Sequence, residues 1–152
     1  MYWTSTLAWK AKQYDFYPEF IELAAKINKS MPFHVVQWAA EALNSAGKST
    51  SGSKVLLIGV AYKEGIADTR ESPSLKVIEL LSEQGAEVSY HDPYVRRVEV
   101  SGKEYQSVPL DAAAVKQTDC IVILTAHSNL NLEFLKPAEA PVVDTRNVLR
   151  RR

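Results

Sequence analysis

Apolar residues recur at helical spacing in the first third of the chain. Between positions 20 and 42 they fall at intervals of one, three or four residues, which predicts a long amphipathic helix. The members of this apolar face are Phe20, Leu23, Ala24, Ile27, Met31, Val35, Trp38 and Ala42. Because Pro32 lies inside the pattern, a break or kink is expected near Met31. A shorter amphipathic stretch precedes it and ends at Pro18.

Strands and helices alternate after the connector NSAGKSTSGS, residues 44–53. The pattern predicts strands at Val55–Val60, Glu87–His91, Cys120–Thr125 and Val142–Asp144, and helices at Ser74–Gln84, Leu110–Lys116 and Asn131–Leu135. The segment RRVEVSGKEYQSV predicts a hairpin that turns at Ser101 and Gly102. The fold class is therefore α/β. We expect a Rossmann-like domain with an open parallel sheet, residues 54–152, preceded by a helical arm, residues 1–47.

Charge and cysteine content exclude several classes of function. The 18 basic residues equal the 18 acidic ones, so no strong field favours nucleic acid or an anionic membrane. Apolar runs stay shorter than a bilayer span, and the N-terminus lacks a signal pattern. Cys120 is the single cysteine, which excludes an intrachain disulfide and a thiol metal cluster. We expect a cytoplasmic protein with no metal, nucleic-acid or membrane partner.

Candidate binding residues follow the predicted strands, where open α/β sheets bind ligands. Lys63, in GVAYK, suits a phosphate oxygen; the alternative is a solvated loop cation. Arg146, in DTRN, either binds a ligand or forms a salt bridge with Asp144. For Arg70, in DTRESP, an ion pair with a neighbouring carboxylate is favoured over a bidentate phosphate contact.

Other conspicuous residues favour structural roles. Asp92 stands where a dinucleotide fold places its ribose-binding carboxylate, but G-x-G-x-x-G is absent, so a turn-forming aspartate is favoured. His127 has no nucleophile nearby, and Cys120 is flanked by apolar strand residues, which indicates a core thiol. Ser72 and Pro73 fit the N-cap and first position of a helix. From these residues alone, the chain binds something phosphorylated and does not catalyse by itself.

Four segments together resemble one known family. GVAYKEGIADTRESPSLKVIELLSEQGAEVSYHDPYV closely resembles the carboxy-terminal UDP-binding domain of the UDP-glucose/GDP-mannose dehydrogenase family. TDCIVILTAHSNLN and PVVDTRNVL are similar to its next two signatures. TLAWKAKQYDFYPEFIELAAKINKSMP resembles the segment that follows the family's catalytic cysteine. The resemblance extends from about Thr6 to Leu149.

The resemblance implies a function and specific contacts. Members oxidise the primary alcohol of a UDP-sugar to a carboxylate with NAD, and they have an amino-terminal NAD domain, a central dimerisation helix and a UDP-binding domain. By position, Tyr62, Lys63 and Arg146 are implied to bind the UDP-sugar, and Arg70 to reach the NAD side. A homodimer through the helical arm is also implied. The catalytic cysteine and the main NAD site are absent, so the sequence is expected to be an inactive fragment with no catalytic residue.

The loop sequences also indicate a substrate class. GVAYK with RESPS resembles members that act on UDP-N-acetylhexosamines more than UDP-glucose members. Ala67 and Ala126 stand where many relatives have acidic residues in the same loops.

Two rival hypotheses remain from other classes of function. The first is a non-enzymatic dimerisation or regulatory module. The second is a stand-alone NAD-binding domain, and the missing G-x-G-x-x-G fingerprint argues against this second hypothesis.

Overall fold

The chain forms one long helix followed by an α/β unit, in a computed structural model that describes residue 10 and residues 19–149. Within residues 19–149 the helices are α1 (Glu19–Ser45), α2 (Pro73–Glu83) and α3 (Ala112–Lys116), with a 3-10 turn at Glu133–Leu135. The strands are β1 (Lys54–Ile58), β2 (Glu87–His91), β3 (Arg97–Val100), β4 (Lys103–Gln106), β5 (Cys120–Ile123) and β6 (Val142–Asp144). None of these helices is long and apolar enough to cross a membrane. The stretch before Pro18 lies outside the described residues.

A four-stranded parallel sheet with the order β2-β1-β5-β6 forms the centre of the fold. Val55 of β1 lies opposite Val88 on one side and Cys120 on the other. Every residue of β5 is buried, as expected for a parallel strand covered on both faces. The predicted Rossmann-like α/β class is therefore confirmed. From β1 the chain crosses to β2 on one side, and after the hairpin and α3 it returns to β5 on the other side of β1. This reversal creates a crevice beyond the carboxyl ends of β1 and β5.

The predicted hairpin forms a separate two-stranded antiparallel sheet from β3 and β4. Its turn residues Ser101 and Gly102 both have positive φ, 51° and 77°. A two-residue hairpin turn whose twist matches that of the flanking strands requires positive φ at both of its central residues. The prediction of a turn at Ser101 and Gly102 is confirmed.

Helix α1 continues through Pro32, so a break near Met31 is wrong, while a kink there stays a prediction. Pro32 is buried, and the turns after it pack into the main core. This packing offsets the missing N–H that proline imposes on a helix. The residues of α1 that join the core are Val35, Val36, Ala39 and Leu43. The arm thus lies against the α/β unit along its second half, and the division at 1–47 and 54–152 stays a prediction.

Two strands end earlier than predicted. The structure ends β1 at Ile58 rather than Val60, and β5 at Ile123 rather than Thr125. Gly59 has a φ of 80°, which turns the chain out of the sheet directly after β1. Burial persists beyond both strand ends, and the sequence pattern alone does not separate a buried loop from a buried strand.

Helix starts follow their capping residues. The helix predicted from Leu110 begins later, because Asp111 caps it and its carboxylate accepts a first-turn N–H at 2.8 Å. The last predicted helix is reduced to the 3-10 turn. Ser72 caps α2 with Pro73 in the first helical position, as predicted.

Candidate functional site

Two adjoining cavities open at the carboxyl edge of the sheet. The first, of about 390 Å³, lies between α1, the start of α2 and the loops after β1, β5 and β6. The second, of about 480 Å³, lies beside it along the same loops. The residues that line both are Tyr62, Lys63, Thr125 and Arg146. The three loops expected to meet at this edge therefore do meet, and they bring Tyr62, Lys63 and Arg146 together.

Helix α1 forms one wall of the first cavity. Asn28, Met31, Pro32 and Val35 contribute to this wall. This contribution was not predicted from the sequence, although Met31 and Val35 belong to the apolar face of the predicted helix. A largely apolar wall in the same cavity as two cations suits a ligand with a flat, weakly polar part and a charged part.

Lys63 is exposed and reaches both cavities. Its ammonium lies 5.6 Å from the centroid of the Tyr62 ring, within cation–π range. Within residues 19–149 no carboxylate forms an ion pair with Lys63. Its positive charge is therefore directed to the cavity region without internal neutralisation by that part of the chain.

Arg146 follows β6 and is positioned by a main-chain oxygen. Its Nε donates a hydrogen bond to the carbonyl of Leu124 at 2.5 Å. Asp144, the alternative partner, instead accepts the backbone N–H groups of Arg146 at 3.2 Å and Leu149 at 2.9 Å. No salt bridge joins the Arg146 guanidinium to a carboxylate in the described part of the chain. The internal ion pair with Asp144 is therefore not formed, and ligand binding by Arg146 stays a prediction.

Arg70 lies outside both cavities. Its side chain is 87% exposed and pairs with Asp68 through two nitrogens, at 3.1 and 2.9 Å. The hydrogen bond from the Arg70 guanidinium is the main reason that the pKa of Asp68 falls to about 2. The structure thus forms the ion pair that the sequence favoured, and it does not bring Arg70 to the other three candidates.

Residues 56–151 match the model of the UDP-glucose/GDP-mannose dehydrogenase family, UDP binding domain. The match covers all of the sheet after the first residues of β1 and all three loops of the site. The chain belongs to this family.

Relatives of known activity and structure agree with the family match. UDP-N-acetyl-D-mannosamine dehydrogenase from Methanococcus maripaludis is 35% identical over 139 residues, which are 86% of this chain and 31% of the relative. Among solved structures, UDP-D-ManNAc dehydrogenase from Pyrococcus horikoshii superposes with a TM-score of 0.68 and 32% identity, over 84% of this chain and 29% of that one. A UDP-glucose dehydrogenase from Pyrobaculum islandicum gives a TM-score of 0.73 at 26% identity, over 93% and 32%. The chain spans about a third of the length of these family members.

The loop after β1 does not fit the pyrophosphate of the NAD that the family resemblance implies. In dinucleotide folds, free amides after this strand receive the pyrophosphate. Here the N–H groups of Val60 and Ala61 donate to Asp92 at 2.9 and 3.0 Å. The start of α2 offers few free N–H groups to an anion, because Pro73 has no N–H and the amide of Ser74 donates to the Ser72 hydroxyl. The backbone amides of Val60, Ala61 and Ser74 are thus occupied within the fold, and the positive charges at this edge are those of Lys63 and Arg146.

Cys120 and Asp92 agree with their predicted structural roles. Cys120 is fully buried, and burial raises the pKa of its thiol to about 11, so it is an unreactive core residue. Asp92 accepts the N–H groups of Tyr94 and Val95 at 2.9 and 3.1 Å, which confirms the turn. The sequence did not reveal that Asp92 also bonds the loop after β1. The described residues contain no group of three or more histidine, cysteine or acidic side chains placed to hold a metal ion.

Proposed function

We propose that this chain binds the UDP part of a nucleotide sugar in the two cavities at the carboxyl edge of the sheet. The observation that carries the proposal is that Lys63 and Arg146 arrive from different loops and line both cavities. A diphosphate carries negative charge on two neighbouring phosphates, and charge-assisted hydrogen bonds from lysine and arginine are the strong contacts for such groups. Tyr62 supplies an aromatic ring 5.6 Å from the Lys63 ammonium.

The proposed reaction of the whole protein is oxidation of the C6 alcohol of a UDP-sugar to a carboxylate. The printed names of the relatives support a dehydrogenase, and several act on UDP-N-acetylhexosamines, which supports that sugar class. NAD is proposed as the acceptor of hydride, bound mainly outside these 152 residues, with Arg70 reaching toward it. The chain by itself is proposed to bind and orient UDP-sugar without turnover. The proposed compartment is the cytoplasm, in agreement with a lone buried thiol.

Lys63→Ala is expected to weaken UDP binding by about 1.5–3 kcal/mol, the value of a hydrogen bond to a charged group. The ammonium has no ion-pair partner in residues 19–149, so its removal breaks no internal salt bridge there. Isothermal titration calorimetry with UDP measures the change. Titration with NAD under the same conditions tests the stand-alone NAD-binding hypothesis.

Lys116→Ala is the matched control, since it removes the same charge from an exposed lysine at the end of α3. Its UDP affinity should equal that of the unmodified chain. Equal UDP affinity in Lys63→Ala and Lys116→Ala would show that Lys63 is not part of the site. Binding of NAD but not of UDP would favour the stand-alone NAD-binding domain.

A homodimer through α1 is the proposed assembly. Phe20, Leu23 and Ile27 lie on one helix face and are 82%, 54% and 51% exposed. They continue the apolar face whose second half packs into the core, and an exposed apolar face of this kind is typical of a protein interface. A second copy of the chain is the proposed occupant, in agreement with the dimerisation helix that the family resemblance implies.

Ile27→Asp is expected to raise the dimer dissociation constant at least about tenfold, because it places an unpaired charge in an apolar contact. Multi-angle light scattering over a dilution series measures this constant. Lys29→Asp, a larger charge change on a different face of α1, should leave it unchanged. A dimer that tolerates Ile27→Asp, or a chain that is monomeric throughout, would contradict this interface.

A further inference from the structure

Every main-chain N–H and carbonyl group from Val60 to the amide of Tyr62 has a hydrogen-bond partner. The carbonyl of Val60 accepts the Ser72 hydroxyl, and that of Ala61 accepts the Thr125 hydroxyl, both at 2.8 Å. The Tyr62 amide donates to the carbonyl of Asp68 at 2.7 Å. Residues 59–65, which we call the nucleotide loop, therefore have a backbone held largely by other parts of the fold.

Asp92 organises the start of the nucleotide loop. Its residue is only 3% exposed, yet its two oxygens accept five hydrogen bonds from the described residues. Oδ2 receives the N–H groups of Val60 and Ala61, and Oδ1 receives those of Tyr94 and Val95. Burial, the largest influence, raises the pKa of this carboxyl, but the hydrogen bonds together hold it below the usual value. Asp92 is thus a buried carboxylate stabilised by amides from two loops.

His127 bonds the far end of the nucleotide loop. The amide of Gly65 donates to Nδ1 at 3.0 Å, so Nδ1 is an acceptor and the proton of the neutral ring lies on Nε2. Nε2 then donates to Oδ2 of Asp92 at 3.1 Å. The His127 side chain is fully buried, and its ring lies 4.9 Å from that of Tyr94, centroid to centroid. The imidazole therefore has one fixed tautomer and one fixed orientation.

We infer that Asp92 and His127 are positioning residues that hold the nucleotide loop at both ends, so that Tyr62 and Lys63 face the cavities. Asp92 bonds the residues just before Tyr62, and His127 bonds Gly65, two residues after Lys63. Only Tyr62, Lys63 and Glu64 lie between these contacts. The ligand named in this inference rests on the proposed function.

Positioning of this kind acts through the population of the binding-competent loop. A loop held before the ligand arrives does not lose its freedom on binding, which lowers the cost of association. When the competent fraction falls to about a tenth, the apparent dissociation constant rises about tenfold. Neither Asp92 nor His127 lines the two cavities, so their effect on affinity is transmitted by the loop.

The test uses two substitutions that divide the functions of the imidazole. In His127→Gln, the longer side chain places its amide near the former Nε2 and keeps a donor to Asp92, but it loses the acceptor for Gly65. In His127→Asn, the amide oxygen takes the place of Nδ1 and keeps that acceptor. We expect UDP affinity to fall about tenfold in the glutamine variant and to be restored largely by asparagine. Hydrogen exchange of the Gly65 amide should quicken only in the glutamine variant.

His91→Gln is the matched control. His91 also bonds a main-chain group through Nδ1, but here Nδ1 donates to the carbonyl oxygen of Val108 at 2.8 Å, and Val108 is not part of the nucleotide loop. UDP affinity and Gly65 exchange should stay unchanged in this variant. Nitrogen-15 spectra of the unmodified chain should also show His127 with its proton on Nε2.

Two results would overturn the inference. One is a folded His127→Gln variant in which both the UDP affinity and the hydrogen exchange of the Gly65 amide are unchanged. The other is a His127 ring in the unmodified chain that carries its proton on Nδ1. If the glutamine variant does not fold, the asparagine variant decides, because loss of Gly65 protection there contradicts the role of Nδ1. If the unmodified chain does not bind UDP, the proposed function fails, while Gly65 exchange still reports whether His127 holds the loop.

Discussion

Gly59→Ala is expected to lower the free energy of unfolding by about 2–5 kcal/mol, from left-handed backbone strain together with overpacking. Gly59 has a φ of 80°, and a Cβ built on it would lie 2.2 Å from the carbonyl oxygen of Thr125. That oxygen belongs to the main chain just beyond β5, so relief of the clash requires the ends of β1 and β5 to separate. Urea denaturation followed by circular dichroism measures the loss.

Gly47→Ala separates the two contributions. Gly47 has a similar φ of 73°, but nothing lies within 4 Å of the position of its added Cβ. This variant should lose only the conformational part, about 1–2 kcal/mol. If Gly59→Ala costs no more than Gly47→Ala, the close approach between Gly59 and Thr125 does not contribute to stability.

Asp92→Asn is expected to lower the free energy of unfolding by about 3–5 kcal/mol, the usual cost of breaking a buried charged network from one side. The new amide group has one oxygen and one NH2. Whichever way it turns, its NH2 faces either the two donors before Tyr62 or the two in the Tyr94 turn. The NH2 group and the backbone N–H groups that it faces are both donors, so these buried N–H groups lose their acceptor. Chemical denaturation at neutral pH measures the effect.

The pH dependence of this difference has a definite sign. The folded-state pKa of Asp92 lies below its ordinary value of about 3.9, so the carboxylate contributes stability above that value. The contribution is lost as the pH falls through the folded-state pKa. The stability difference between the unmodified chain and Asp92→Asn should therefore shrink below about pH 4.

Asp111→Asn provides the comparison for Asp92. Asp111 is an exposed N-cap whose carboxylate accepts one amide, and asparagine is an equally good cap, so its cost should stay below about 1 kcal/mol. Similar costs for Asp92→Asn and Asp111→Asn would contradict the buried network.

Local signals predicted most of the secondary structure. The hairpin was predicted from Ser101 and Gly102, two turn residues that both have positive φ. Strand β6, Val142–Asp144, was predicted from a short apolar run between turn residues. The prediction failed where tertiary packing overrides local preference. Pro32 remains inside α1 because the following turns are buried in the core, and Pro32 itself is buried.

The site was predicted in outline through topology. Loops that follow neighbouring parallel strands must lie at one edge, which brings Lys63 and Arg146 together. The wall contributed by α1 was not predictable in this way, because the docking of a separate helix depends on the finished core. Asp92 was predicted as a turn residue from its own neighbours, since its bonds to Val60 and Ala61 cross more than thirty residues of sequence.

The burial of Cys120 has a practical consequence for spectroscopy. It is the single thiol of the chain, and its pKa of about 11 leaves almost no thiolate at neutral pH. Maleimide or nitroxide reagents would therefore leave it unmodified in the folded state. A cysteine introduced at an exposed position can carry a probe at a single defined place while the native sequence is otherwise retained.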